Sequence, residues 1–334
     1  MAITLANLDG VAEPRFAEQV REASFNKLAL YNSGAIKMAT PQELGISFNS
    51  GARIAAFPYW NIQNMDHTEL VDANTATAAV ADTAGEQIGR ILYRGRAWGA
   101  SFLAKQLIGS DPLTNVAEKI GEFWANNYHT AALNIMAGLF ENLAAAGIGV
   151  TQGIDDHYVD STGAGQVTGT ILKRGVYAMG DQFTKVKLAI MHSDVYQIIE
   201  DNEDVVMVPG GNGRIYPTLR GTKIELYVDD SMPSGAGVVG GDESAVYMFG
   251  EGAFIMCPFE EYLKPAEDET TGVIAIHNRK PFLLHPNGFS WQSVDPAAAG
   301  NLSPTNAELA NGLNWLTEWQ TANIPIVRQD VSLV

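Results

Sequence analysis

Six consecutive residues, Asp155-Asp156-His157-Tyr158-Val159-Asp160, hold three carboxylates and an imidazole, a donor set from which an oxygen- and nitrogen-ligated metal site could be built. The stretch lacks the glycine and distal glutamate of a calcium loop, and the chain contains no H-E-x-x-H. It reads as a solvated loop. Pro209-Gly210-Gly211-Asn212-Gly213-Arg214 has glycines but no following Lys-Ser/Thr, so it does not read as a phosphate-binding loop. Ser161 to Gly169 approaches the dinucleotide fingerprint, but its third glycine comes one residue late and a polar stretch stands where a strand is required. Both segments read as turns. No serine sits in a G-x-S-x-G elbow, and Cys257 ends the apolar run Ala253-Phe254-Ile255-Met256, where a small buried thiol is the usual occupant. His129 and His192 lie in apolar contexts and are expected to be hydrogen-bonded core or interface residues. Arg90, Arg94 and Arg96 form the densest basic cluster, flanked by Tyr93 and Trp98. The guanidinium fork suits carboxylates of a neighbouring subunit.

These residues sit in a chain of 334, of which 46% are hydrophobic and 18% charged. That is ample apolar material for a core and excludes intrinsic disorder. One cysteine excludes a disulfide framework, and a net charge of −17 argues against binding nucleic acid through a basic face. No window reaches the ~18 apolar residues of a membrane helix. Met1–Leu5 shows no basic stretch before an apolar one, so no signal peptide is expected, and a soluble protein of a reducing cytoplasm is the natural reading. Residues 200–270 hold fifteen acids against four bases, a solvated face or an acidic rim.

Apolar spacing predicts a helix from about Pro14 to Tyr31, and Thr40-Pro41-Gln42-Glu43 is a capping box that opens one short turn before Gly45. From Ile46 to Arg96 short apolar runs alternate with small polar stretches. This suits an extended hairpin with little core of its own, one that packs against another subunit. Val116, Ile120, Phe123, Trp124, Tyr128, Ala131, Ile135, Leu139 and Leu143 recur at helical spacing. They predict one long helix over 111–146, about 54 Å at 1.5 Å per residue. After Gly169 the pattern is mixed. Helices are expected at Thr170–Met179 and Asp194–Glu200, and strands at Val186–Met191, Thr222–Val228, Ala245–Ile255, Gly272–His277 and Phe282–His285. A last amphipathic helix is expected from Ser303-Pro304 through Leu309, Leu313, Leu316 and Trp319.

A series of strings then carries a resemblance. It begins with Arg96-Ala97-Trp98-Gly99-Ala100-Ser101 and Leu107-Ile108-Gly109-Ser110-Asp111-Pro112, and continues through Phe123-Trp124 and Gly138-Leu139-Phe140. Ile190-Met191-His192-Ser193-Asp194-Val195-Tyr196, Val228-Asp229-Asp230-Ser231-Met232-Pro233 and Tyr247-Met248-Phe249-Gly250-Glu251-Gly252-Ala253 follow. The series ends with His285-Pro286-Asn287-Gly288-Phe289-Ser290-Trp291, Ser303 to Leu309, Asn314-Trp315 and Ile324-Pro325-Ile326-Val327. From about residue 85 to the C-terminus the chain resembles the major capsid, or coat, proteins of tailed bacteriophages.

The resemblance implies an α+β, Hong Kong 97-type fold. It would comprise an N-terminal arm (1–45), an extended E-loop hairpin (46–96), a peripheral domain (97–169) with a spine helix (111–146), an axial domain (170–280) and a C-terminal segment returning to the core (281–334). It further implies pentamers and hexamers closing an icosahedral virion shell, assembled in the host cytoplasm around double-stranded DNA, with a portal protein as partner. Decoration proteins and a separate scaffolding protein are optional partners, since no cleavable scaffolding segment precedes the arm; no cofactor and no membrane are implied. Weak, non-specific contact with DNA is expected, because an acidic chain repels phosphate. The candidate subunit-contact residues are Arg53, Phe57 and Trp60 on the hairpin, with Arg90, Arg94 and Arg96 at its base. An encapsulin-like nanocompartment shell is the alternative on the same fold, and a metal-dependent enzyme using Asp155–Asp160 is the alternative outside it.

Overall fold

The computed structural model describes residues 34–44, 54–60, 84–101, 112–140, 157–209, 215–234, 242–268, 273–292 and 303–334. The helix expected at 14–31 lies outside them. Two sheets and one long helix organise the rest. The first sheet has the order β1 (Ile36–Met38), β10 (Phe254–Pro258), β12 (Val273–Pro286), β3 (Ala84–Ser101), β2 (Ile54–Trp60), and β11 (Tyr262–Asp268) also pairs with β12. The second has the order β4 (Tyr158–Gln166), β15 (Ile326–Ser332), β9 (Glu243–Gly250), β5 (Val186–Met191), β8 (Glu225–Val228), β7 (Ile215–Leu219), β6 (Val205–Pro209).

The central strands of the second sheet are buried on both faces, and their side chains alternate between two cores as a period of two requires. Along β9, Ala245, Tyr247 and Phe249 point to one core while Val246 and Met248 point to the other. Two helices cover the second face: α2 (Gly169–Tyr177), capped by the Thr168 side chain, and α3 (Ser193–Asp201), capped by His192. The first face meets the long helix α1 (Pro112–Leu139). Its Ile120, Trp124, Tyr128, Ile135 and Met136 pack between β5 and β9 on one side and Phe254, Met256, Phe282 and Leu284 of the first sheet on the other. A single helix thus ties both sheets into one apolar cluster. Gly138 lets it lie close: a Cβ there would sit 2.3 Å from the carbonyl oxygen of Leu309.

Several expectations are corrected. The long helix is seen over 28 residues, about 42 Å, and Phe140 is a turn residue; 141–146 lie outside the described residues. The strand expected at Ala245–Ile255 is two strands in different sheets, because the chain turns at 251–253 with Gly252 at φ +69°. Conversely, the two strands expected at 272–277 and 282–285 are one, β12, which carries Pro281 within it. The last helix shrinks to one turn, α4 (Asn306–Leu309), followed by a 3-10 turn and β14 (Trp315–Thr317). Its start is also displaced. Thr305 accepts from Glu308 N while the Glu308 carboxylate accepts from Thr305 N, so Thr305-x-x-Glu308 is the capping box, not Ser303-Pro304. Residues 161–166 belong to strand β4, not to a turn. Positions 96 and 280, expected as domain boundaries, both lie inside strands, β3 and β12.

Candidate functional site

The described part of the 46–96 segment is an antiparallel hairpin, with Ile54 opposite Arg90 and Trp60 opposite Ala84. Its two faces differ. Ala55, Phe57 and Tyr59 turn inward, and they can lie flat because β3 offers glycines beneath them. A Cβ at Gly85 would fall 2.4 Å from the Tyr59 ring, and one at Gly89 would fall 2.9 Å from Phe57. Phe57 stacks on His285 at 5.0 Å, and the Tyr59 hydroxyl reaches Glu318. The outward face carries Ile54, Ala56, Pro58 and Trp60 opposite Arg90, Ile88, Glu86 and Ala84. Ile54 is 51% and Trp60 73% exposed, so this hairpin presents an apolar strip that the other described residues do not cover.

Of the candidate contact residues, Arg53 lies outside the described residues, Phe57 faces its own chain and Trp60 faces outward. The three arginines separate. Arg90 sits on the outward face of β3. The Arg94 guanidinium is committed within the chain: it donates to Ser303 Oγ at 2.7 Å, to the Pro304 carbonyl at 2.6 Å and to Asn306 Oδ1 at 3.3 Å. Arg96 is exposed and lies over the Phe123 ring at 5.0 Å. Arg94→Ala should therefore destabilise the unassembled chain by about 1.5–3 kcal/mol, the worth of hydrogen bonds from a charged group. Arg96→Ala should cost only about 0.5–1 kcal/mol for its cation–π contact. Hydrogen exchange at Glu308 and Leu309 should accelerate in the first variant alone.

Sequence reasoning missed His285 beneath the hairpin. Burial pushes its pKa down to about 3, from an ordinary 6.5, and its Nε2 lies 3.3 Å from Gln87 Oε1. The folded chain keeps this imidazole neutral, whereas the unfolded chain protonates it below pH 6.5. Its contribution to stability is full above pH 6.5 and is lost as pH falls towards 3, by at most about 1.4 kcal/mol per pH unit. Urea unfolding at pH 7, 5.5 and 4.5 should show this slope, and His285→Gln should flatten it. Burial favours the neutral acid at Asp229 too, but hydrogen bonds from His129 and the Ser231 amide win and hold it at about 2. Asp229 stability is thus present above pH 3.8 and is lost below the range of that experiment.

The chemistry-bearing residues are dispersed. His157 is buried with Nδ1 3.1 Å from the Ile326 carbonyl, while Asp160 accepts from the Thr162 amide and hydroxyl; Asp155 and Asp156 lie outside the described residues. Burial pushes the Cys257 thiol up to about 11, the direction of an inert thiol. His129 Nε2 lies 2.8 Å from Asp229, joining α1 to the turn after β8, and His192 receives the Asp194 amide at the start of α3.

No protein-family model matches the chain. Over 315 residues, 90% of this chain and 90% of the relative, it is 27% identical to the major capsid protein of Bacillus phage SPP1. The chain is similar to a phage major capsid protein along nearly its whole length. Solved structures agree on the fold. The capsid of Ralstonia phage GP4 matches with a TM-score of 0.58 at 9% identity, over 93% of this chain and 90% of that one. The cyanophage Pam1 capsid matches with 0.52 at 7% identity over 84% and 85%, and that of cyanophage P-SCSP1u with 0.52 at 10% over 90% and 87%. The chain therefore has the mixed α/β, Hong Kong 97-type fold seen in those capsid structures. Its counterparts are structural proteins and not enzymes.

Proposed function

We propose that this chain is the major capsid protein of a tailed bacteriophage, closing as pentamers and hexamers into the icosahedral head around double-stranded DNA. One observation carries the reading: likeness to a phage major capsid protein runs along 90% of both chains and is not confined to one motif. The β2–β3 hairpin is read as the E-loop and α1 as the spine helix. The first sheet is read as the peripheral domain, and the second sheet with α2 and α3 as the axial domain. The outward strip Ile54, Ala56, Pro58 and Trp60, with Arg90 and Arg96 at its base, is then the surface laid on an adjacent subunit. Arg53 is assigned to the same contact.

The charge supports the reading. At −17 the subunit repels phosphate, so packaged DNA is held by weak, non-specific contacts and is not trapped on the wall. A portal protein, and where present scaffolding and decoration proteins, complete the partner set, with assembly in the host cytoplasm. The phage relative favours this over a nanocompartment, which would hold cargo protein in place of DNA. Negative-stain electron microscopy of the purified chain, with light scattering, tests it. Uniform shells or capsomer rings are expected, with nuclease-protected DNA in particles from infected cells; particles filled with protein cargo and free of DNA would reverse the choice.

A further inference from the structure

Two patches of opposite character stand out on the described surface. The first is a cleft of about 890 Å³ between β1, the 180–185 turn and the 251–253 turn. It shares Lys185, Trp319 and Asn323 with an adjoining cleft of about 450 Å³ under Tyr59 and Trp60. Three lysines line it, an unusual excess in a chain of net −17. The two carboxylates present are occupied: Glu251 pairs with Lys187, and Glu318 meets the Tyr59 hydroxyl. Lys37 and Lys185 have no ion-pair partner among the described residues, and both are exposed. The Trp319 indole N–H on the shared wall likewise has no hydrogen-bond acceptor among the described residues.

The second patch lies where α3 ends and β6 begins. Glu200, Asp201 and Glu203 are exposed at the turn, and Glu203 holds a left-handed conformation with φ +58°. The chain then enters β6, the edge strand of the second sheet among the described residues, where Val206, Met207 and Val208 are 41%, 56% and 44% exposed. An open strand edge with apolar side chains on both faces is a template that proteins cover. The neighbouring carboxylates exclude a second copy of the same corner and exclude nucleic acid. A lysine cleft walled by Trp60 and Trp319 complements it in both charge and polarity.

We propose that the lysine cleft of one copy receives the 200–208 corner of a second copy, the carboxylates meeting Lys37 and Lys185 and the β6 edge covering Trp60. The proposal rests on the capsid reading, in which copies of this chain adjoin. The contact is between unlike patches, so it runs head to tail and generates a ring when the rotation closes. Electrostatics fix its register, because placing like charges together in such a contact is strongly unfavourable.

The test uses the full chain and three variants: Lys37→Glu/Lys185→Glu, Glu200→Lys/Glu203→Lys, and all four together. Each double variant should lower the yield of sedimenting shells by about tenfold or more, and the fourfold variant should return it to within about threefold of the starting chain. Shells at full yield from either double variant, or no recovery on combining them, would overturn the proposal. Carbodiimide cross-linking of unmodified shells gives a reading independent of variant folding. Lys37 or Lys185 should be joined to Glu200, Asp201 or Glu203 of another copy, and shells lacking every such link would refute the docking while leaving the capsid reading intact. An unmodified chain that forms no shells would overturn the capsid reading itself, and this proposal with it.

Discussion

Glu261→Gln should destabilise the unassembled chain by about 3–5 kcal/mol, the cost of removing one partner from a buried ion pair. Lys280, on β12, is 1% exposed, and its ammonium lies 3.7 Å from Glu261 Oε2. The same carboxylate accepts from Asn278 Nδ2 through its other oxygen. The Trp124 and Tyr128 rings stand 5.7 and 5.8 Å from the ammonium. Their attraction, roughly 2 kcal/mol when desolvated, does not replace a carboxylate. Glutamine keeps the shape and one acceptor oxygen, but it removes the charge and turns an amide donor towards either the Lys280 ammonium or Asn278 Nδ2, so the loss combines the lost charge with one unmatched contact. Adding Lys280→Met should recover most of it, since an apolar side chain of similar volume is well tolerated where a lone charge is not. Urea unfolding followed by tryptophan fluorescence measures both. A loss below about 1 kcal/mol for Glu261→Gln would show that the pair adds little to the β11–β12 pairing beneath the helix.

Trp124→Ala should cost about 3–5 kcal/mol, the range for truncating a buried aromatic. The side chain is fully buried on the sheet-facing side of α1, 5.3 Å from the Phe123 ring and 6.0 Å from that of Tyr128. Its loss opens a cavity where the helix meets both sheets and strips one wall from the Lys280 ammonium. Because Trp124 and Glu261 surround the same charge, the two variants should not be additive, with a coupling of about 0.5–3 kcal/mol in a double-mutant cycle. Thermal unfolding of the three variants measures it, and strict additivity would place the two residues in independent environments.

Periodicity made the long helix legible, because nine apolar residues at three- and four-residue spacing have one structural solution. Val186–Met191 was legible as a buried strand for the same kind of reason, being short, apolar and bounded by a turn and a polar cap. Failures fell where a local signal had two readings. Leu309, Leu313, Leu316 and Trp319 fit a helical face, yet Gly312 and the Asn311 side chain, which accepts from Leu313 N, break it into short turns. The turn at Gly252 looked like strand interior because apolar residues flank it on both sides. On the hairpin, Phe57 and Trp60 were not separated from sequence: three residues apart on β2, they lie on opposite faces, Phe57 inward and Trp60 outward. Arg94 and Arg96 could not be told apart from sequence: two residues apart on β3 they share a face, and only the fold brings Ser303 and Pro304 to one of them. The lysine cleft was invisible for that reason too, being gathered from β1, the turn before β5 and the end of β9.

The most direct test of the account is a cryo-electron microscopy map of the particles this chain forms. The account predicts an icosahedral shell with the second sheet gathered around the five- and six-fold axes. The outward strip Ile54, Ala56, Pro58 and Trp60 should lie against an adjacent copy. A closed particle in which that strip faces solvent, or a chain that stays monomeric with every expected partner supplied, would contradict it.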